Sequence, residues 1–278
     1  MLKIGKSMRY NLLNQKNFEL MATEGIECIE IVTIHNEIDM LNFAKVKSLS
    51  EKYSIDLWSL HLPFAAEKQL DASSLNESVR AATLNEWCKY IEKGAEFGIK
   101  TFVLHPSCGA KPYDELRPLR IKSAQKTLKE LSDFAEQNSV ILAVENLPRM
   151  ALSNTIESLA EIVSADNRLK ICFDTNHLLT QSNIDFINFF GDRIHTIHVS
   201  DYDKKDEKHW LPGEGVNDWQ AIYHTLLERG YCGPWMYEVN FEPSPNWFVE
   251  RPRRLYFKDF TNNANQIFKN KPFKLKDQ

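Results

Sequence analysis

Short β-rich runs and longer helical stretches alternate along the whole chain, and this alternation restricts the fold more than any other property. Runs at 2–5, 26–34, 55–62, 99–105, 140–145, 169–174, 193–200 and 234–239 carry many β-branched and aromatic residues. Each is bounded by Gly, Pro or polar residues, so the sequence predicts a strand at each. Positions 76–97 carry Val79, Ala82, Trp87, Tyr90, Ile91 and Phe97 at helical spacing, and positions 114–137 carry Leu119, Ala124, Leu128, Leu131 and Phe134. Asn217 or Asp218 is expected to cap a helix beginning near Trp219. Eight strand–helix units suit either a doubly wound open sheet or a closed (β/α)8 barrel. A length of 278 residues matches one such barrel. No linker or repeat divides the chain, so residues 1–278 are expected to form a single (β/α)8 TIM barrel with parallel strands. The connection at 201–216 is longer than the roughly 2–6 residues usual after a strand, and such loops are often functional.

Six of the expected strands end in a residue able to ligate a metal: His61, His105, Glu145, Asp174, His198 and Glu238. Strand side chains alternate between faces. Ile141 and Ala143 therefore share a face with Glu145, Cys172 with Asp174, Thr196 with His198, and Met236 with Glu238. These companions are small or apolar, as a barrel lumen requires. His195, three residues before His198, is expected to point the other way, against the helices. In a parallel barrel all strand C-termini emerge on one rim, so the six side chains should converge there. Several carboxylates buried together raise one another's pKa, and a divalent cation removes that penalty. Mixed carboxylate and imidazole ligation suits manganese, cobalt, iron or zinc better than magnesium. His177, in the run CFDTNH, and Glu207 and His209, in the long loop, add to the cluster, with Asp206 an adjacent competitor for Glu207.

Charge and cysteine content narrow the function. Lys and Arg number 34 against 38 Asp and Glu, a formal charge of −4, and nucleic-acid binders usually carry a basic excess. No apolar run approaches the roughly 18–20 residues that span a bilayer, and the first residues lack the apolar core of a signal peptide. The five cysteines include no C-x-x-C pair, so neither a disulfide framework nor a cysteine zinc site is indicated. A reduced cytoplasmic enzyme fits. Oligomeric state stays open, a homo-oligomer included.

The runs HLPF (61–64), LHPSCG (104–109), AVENLPR (143–149), CFDTNH (172–177), HVSD (198–201), HWLPGEG (209–215) and YEV (237–239) follow one another in chain order. Together they resemble the xylose-isomerase-like TIM-barrel superfamily, specifically its sugar phosphate isomerase/epimerase group, which shares its fold with endonuclease-IV-type enzymes. The resemblance spans essentially the whole chain. It implies that Glu145, Asp174, His198 and Glu238 ligate one metal and that His177 contacts substrate. The endonuclease-like pattern implies up to three zinc ions and adds His61, His105, His177, an Asp and a loop His. Here His209 fills the loop position, and Glu207 stands in place of the Asp.

Two enzymatic activities follow, with a non-catalytic ligand-binding barrel as a third alternative. One is a divalent-metal-dependent isomerase or epimerase (Mn, Co or Zn, one ion favoured) acting on a small sugar, sugar phosphate or polyol. Glu145 and Glu238 would serve as its acid–base pair next to a carbonyl. The same rim suits a dehydration, whose first step is the same proton abstraction. Glu30, facing inward on the second strand, would hold a substrate hydroxyl or form a buried structural ion pair. Arg149 would meet a phosphate or carboxylate or lie on the surface, and Trp210 would cover an apolar face of the substrate. The other activity is a zinc-dependent apurinic-site endonuclease-like phosphodiesterase, which the acidic charge disfavours.

Overall fold

The computed structural model describes residues 1–66, 69–108, 115–242 and 253–272. Strands and helices alternate strictly. The strands are β1 (Ile4–Arg9), β2 (Cys28–Val32), β3 (Asp56–His61), β4 (Thr101–Leu104), β5 (Ile141–Glu145), β6 (Lys170–Asp174), β7 (Ile194–Val199) and β8 (Trp235–Tyr237). The helices are α1 (Gln15–Thr23), α2 (Phe43–Tyr53), α3 (Glu77–Glu96), α4 (Arg117–Gln137), α5 (Ile156–Val163), α6 (Asn183–Phe190), α7 (Trp219–Glu228) and α8 (Phe257–Phe268). Every strand pairs in parallel with its sequence neighbours, and β1 also pairs with β8, which closes the barrel. The open sheet is thereby excluded. Position 114, the expected start of α4, lies outside the described residues. Among the described residues, no helix is long and apolar enough to cross a membrane.

Local chemistry sets where the helices begin. Asn14, Asn42, Asn76, Thr155, Ser182 and Asp218 each precede a helix, and each side chain accepts a hydrogen bond from a first-turn amide. Those amides have no partner within the helix. The cap before Trp219 is Asp218, bonded to the Ala221 amide, while Asn217 accepts from the Asn183 side chain instead. Each helix lays an apolar stripe on the barrel, as Trp87, Tyr90 and Ile91 do from α3. Burying one such side chain is worth about 1.5–3 kcal/mol. Gly94 lets α3 come close: a Cβ there would sit 2.9 Å from the Phe102 ring.

Inside the barrel, Val103, Ala143 and Cys172 form a fully buried layer beneath the rim. Gly5 leaves room for Cys28 and Met236, whose atoms would lie 2.8 Å from any Cβ added there. The floor differs from expectation. The register slips between Ile171 and Cys172 against β7, and between Ile29 and Glu30 against β3, so His195 and Trp58 are extra residues at bulges. A bulge re-aims its side chain. The His195 ring stacks on Trp58 at 5.5 Å and its Nε2 meets Thr101 Oγ1 at 3.0 Å, while Trp58 Nε1 donates to Thr196 Oγ1 at 3.1 Å. β7 does not neighbour β3 or β4, so these contacts cross the lumen. His195 plugs the barrel floor; it does not face the helices. β1 also outruns its expected end at position 5. Its polar continuation hides the strand because Lys6 is buried with its ammonium over the Phe241 and Phe260 rings.

The long loop after β7 is ordered by Asp201. Its carboxylate accepts from the amides of Tyr202 (3.0 Å), Gly213 (2.8 Å), Gly215 (3.0 Å) and Asn217 (3.2 Å) and from Trp219 Nε1 (2.9 Å). The Asp201 backbone exchanges two hydrogen bonds with Trp210. A Cβ on Gly215 would sit 2.2 Å from the Tyr202 carbonyl and 2.4 Å from Asp201 Oδ1. Gly215→Ala is therefore expected to destabilise the protein by about 2–3 kcal/mol. Gly213→Ala, which meets only the strain of φ +96° in open space, is expected to cost about 1 kcal/mol. Urea unfolding of both variants checks the order, and equal losses would refute the clash.

Candidate metal centre and substrate cavity

Glu145 ends β5 and is the hub of the rim. Its Oε2 lies 3.1 Å from His61 Nε2 and 3.2 Å from His105 Nε2. Its Oε1 lies 3.4 Å from both His177 Nδ1 and His198 Nδ1. Around it, ligand atoms of Glu145, Asp174, His198 and Glu238 all fall within 4.8 Å of one another. So do those of His61, His105 and Glu145, and those of His177, Glu207 and His209. His61, Glu145 and Asp174 are the last residues of β3, β5 and β6, and His105 and Glu238 stand one residue beyond β4 and β8. The Glu238 amide still continues the ladder, donating to the Val199 carbonyl at 3.1 Å.

The histidine rings are oriented by what lies behind them. Nδ1 of His61 donates to the Leu62 carbonyl at 2.9 Å, that of His177 to the Asn146 carbonyl at 2.8 Å, and that of His209 to the Glu238 carbonyl at 3.1 Å. A carbonyl only accepts, so each ring carries a proton on Nδ1 and turns Nε2 into the site. Metal-ligating histidines are held in this way. His198 is turned the opposite way round. Glu30 Oε1 lies 2.9 Å from its Nε2, although off the N–H axis, and Nδ1 faces Glu145 and Glu238.

The electrostatics suit a cation. Burial would raise the pKa of Glu145, yet His198 and His105 hold it well below the usual carboxylate range. Burial likewise opposes the charge on Glu238, and His198 and His209 outweigh it. Asp174 goes the other way: burial, with Glu238 and Glu145 adding repulsion, pushes its carboxyl well above the ordinary value. Burial disfavours a charge on His198, but Glu30, Glu238 and Glu145 raise its pKa well above normal. His61 is raised by Glu145 against its burial, whereas burial keeps His105 low. Oδ2 of Asp174 and Oε2 of Glu238 are buried and accept no hydrogen bond among the described residues. Orphaned carboxylate oxygens pointing at one locus, with imidazoles turned toward it, are the donor set of a borderline divalent metal.

Above the cluster opens a cavity of about 480 Å³, within the size range of small-ligand sites. Its walls include His61, His105, Glu145, His177, Glu207, His209, Glu238 and Arg149. The long loop sends Glu207 inward, 3.3 Å from His177 Nε2, while Asp206 pairs with Arg149 Nε at 2.8 Å. Arg149 also holds Glu207 Oε1 at 2.9 Å. Burial opposes ionisation of Glu207, but His177, His209 and Arg149 bring its pKa to about 2. Asp174 and Glu207 in turn raise His177 to about 10 despite its burial. Arg149 and His209 both adopt left-handed backbone, with φ 55° and 51°. Such strain in non-glycine residues gathers at functional sites.

Two expected substrate contacts lie elsewhere. Glu30 is fully buried beneath the rim, accepting from Ser7 Oγ (3.0 Å) and Ser59 Oγ (2.9 Å) besides facing His198. Trp210 pairs its backbone with Asp201 and does not line the cavity. Phe64 occupies the wall instead, half-exposed and stacked on His105 at 4.6 Å. Its place after His61 in HLPF is the one sequence signal for it. Asn146 and Asn176 were also not singled out. Asn146 bonds both backbone groups of Asp174, and Asn176 accepts from the Lys208 amide, tying the loop to β6.

A closed parallel barrel with this rim matches the model of the xylose isomerase-like TIM barrel over residues 18–257. The chain belongs to that family. Within it, L-ribulose-5-phosphate 3-epimerase UlaE of Escherichia coli (strain K12) is 24% identical over 233 residues, covering 81% of each chain. The inosose isomerase of Bacillus velezensis is 26% identical over 232 residues, 78% of this chain and 80% of that one. A solved D-tagatose 3-epimerase-like protein superposes with a TM-score of 0.81 at 24% identity, covering 97% of this chain and 98% of the other.

Adding Mn²⁺ or Zn²⁺ to chelator-stripped protein is expected to raise its stability by about 2.7 kcal/mol at a hundredfold excess over Kd. His61, His198 and Asp174 all have raised pKa values, so a cation must displace their protons. Stabilisation should therefore be larger at pH 8 than at pH 6. Thermal unfolding at both pH values checks this, and Glu145→Gln should abolish most of the shift.

Proposed function

We propose that this protein is a divalent-metal-dependent isomerase or epimerase of a small ketose, ketose phosphate or polyol-derived ketone. The observation that carries the reading is the convergence of Glu145, Asp174, His198 and Glu238 at the base of the cavity. The named relatives, an L-ribulose-5-phosphate 3-epimerase and an inosose isomerase, support it. Glu145, Asp174, His198 and Glu238 hold the metal. When bound, the cation polarises a carbonyl and its neighbouring hydroxyl and so acidifies the C–H bond beside them.

Glu145 and Glu238 stand three strands apart around the ring and line the same cavity. One carboxylate takes the proton from carbon, leaving an enediolate. The other, in its acid form, returns a proton to carbon, and return to the opposite face inverts the centre. The side chain of Glu145 is 2% exposed and that of Glu238 31%, so Glu238 is the group that exchanges its proton with water. His177, raised to about pKa 10, donates through Nε2 to a substrate oxygen in place of Glu207. Phe64 covers an apolar face of the sugar. Five cysteines with no C-x-x-C pair suit a reducing compartment, the cytoplasm.

The two further donor sets, His61/His105/Glu145 and His177/Glu207/His209, support a second reading, a three-zinc phosphodiesterase acting at apurinic sites. In the latter set the longer Glu207 still reaches His177.

Glu145→Gln and Glu238→Gln are each expected to slow ketose proton exchange with deuterated solvent by about 10²-fold or more while the protein stays folded. Full exchange in both variants would end the two-base mechanism. Metal analysis and an abasic-duplex assay with added zinc separate the readings: one ion and no cleavage favour the isomerase, three zinc ions and cleavage the nuclease.

A further inference from the structure

Arg149, for which the sequence leaves an anion contact or a surface position open, is already paired with Asp206 and Glu207. Two other cations line the cavity, both from β1. Lys6 is 4% exposed, and its ammonium meets the Ser7 carbonyl at 2.7 Å and the faces of Phe241 and Phe260, at 5.4 and 5.5 Å. No carboxylate among the described residues pairs with it. Arg9 stands exposed at the end of β1, on the same cavity wall, and its guanidinium makes no ion pair or hydrogen bond among the described residues.

A buried ammonium without a counterion is costly, and an apolar side chain of the same length would fill the space between two phenyl rings at less cost. Two of the three ammonium donors have no hydrogen-bond partner among the described residues, and Lys6 lines the cavity, from which one can come. Burial lowers the pKa of Lys6 to about 8 against the pull of Glu238 and Glu30, so the group is still largely charged at neutral pH. Lys6 thus resembles a fixed cation awaiting an anion more than a structural brace.

We propose that Lys6 and Arg9 form an anion subsite, so that the substrate is a ketose carrying a phosphate or carboxylate on the part of its chain facing β1. This rests on the isomerase reading and narrows its substrate class. A buried ammonium and an exposed guanidinium on the same wall would both donate to the anion, and charge-assisted hydrogen bonds are the stronger kind. The remote charge would orient the reacting carbons over Glu145 and Glu238.

Calorimetric binding to manganese-loaded protein tests this without requiring turnover. The probes are ribulose 5-phosphate and ribulose, fructuronate and fructose, and inorganic phosphate. One charged ketose is expected to bind at least about tenfold tighter than its neutral counterpart. Lys6→Met and Arg9→Met should each bring that ratio toward one, and Lys6→Met should weaken inorganic phosphate. Preference for ribulose 5-phosphate assigns a phosphate, and preference for fructuronate a carboxylate. Equal binding of charged and neutral ketoses by the unaltered protein, or a ratio unchanged in both variants, overturns the subsite. Arg9→Met alters an exposed residue and remains informative if Lys6→Met misfolds. Charge-selective binding without proton exchange would instead count against the isomerase reading alone.

Discussion

A single buried carboxylate, Glu145, faces four imidazoles drawn from β3, the end of β4, the β6 loop and β7. Such an arrangement exists only because every strand of a closed parallel barrel delivers its C-terminus to the same rim. An isolated charge there would be expelled or neutralised. Its partners are in turn fixed from behind, by backbone carbonyls for His61 and His177 and by Glu30 for His198. The packing of the lumen below serves the same end. Val103, Ala143 and Cys172, all small or compact, are fully buried beneath the charged layer.

The loop after β7 extends this logic outward. Asp201 gathers five donors into one turn, and Asn176 joins the loop to the strand that carries Asp174. Glu207 and His209 are thereby presented by a segment that has no regular structure of its own. Arg149, reaching from the β5 loop, holds the acidic stretch to the rim.

Much of this was legible from residue order. Ligand residues at strand ends are readable because a strand's last residue and its lumen face follow from a period of two. The choice of Glu207 over Asp206 was left open by spacing and is decided by which carboxylate reaches His177 and which pairs with Arg149. The alternation rule fails at His195, where a bulge shifts the parity by one residue, and a second bulge at Trp58 lies across the lumen from it; nothing local in the sequence marks either slip. Composition also concealed β1, since a strand containing Lys6, Ser7 and Arg9 lacks the apolar signature, and its burial depends on rings contributed by α8 and the segment after β8. The inward register of Glu30 suits a substrate contact and a buried ion pair equally, and the structure pairs it with His198. The depth of Glu30 depends on Ser7 and Ser59 closing over it from neighbouring strands, which only the assembled barrel shows.

The stacked Trp58 and His195 seal the barrel at the end opposite the rim. Whatever enters the cavity therefore leaves by the same mouth. Phe64 and the Arg149–Glu207 contact both stand in the cavity wall, the jambs of that passage. Any change that loosens those jambs alters arrival and departure together, and the two rates cannot be tuned separately from the far end.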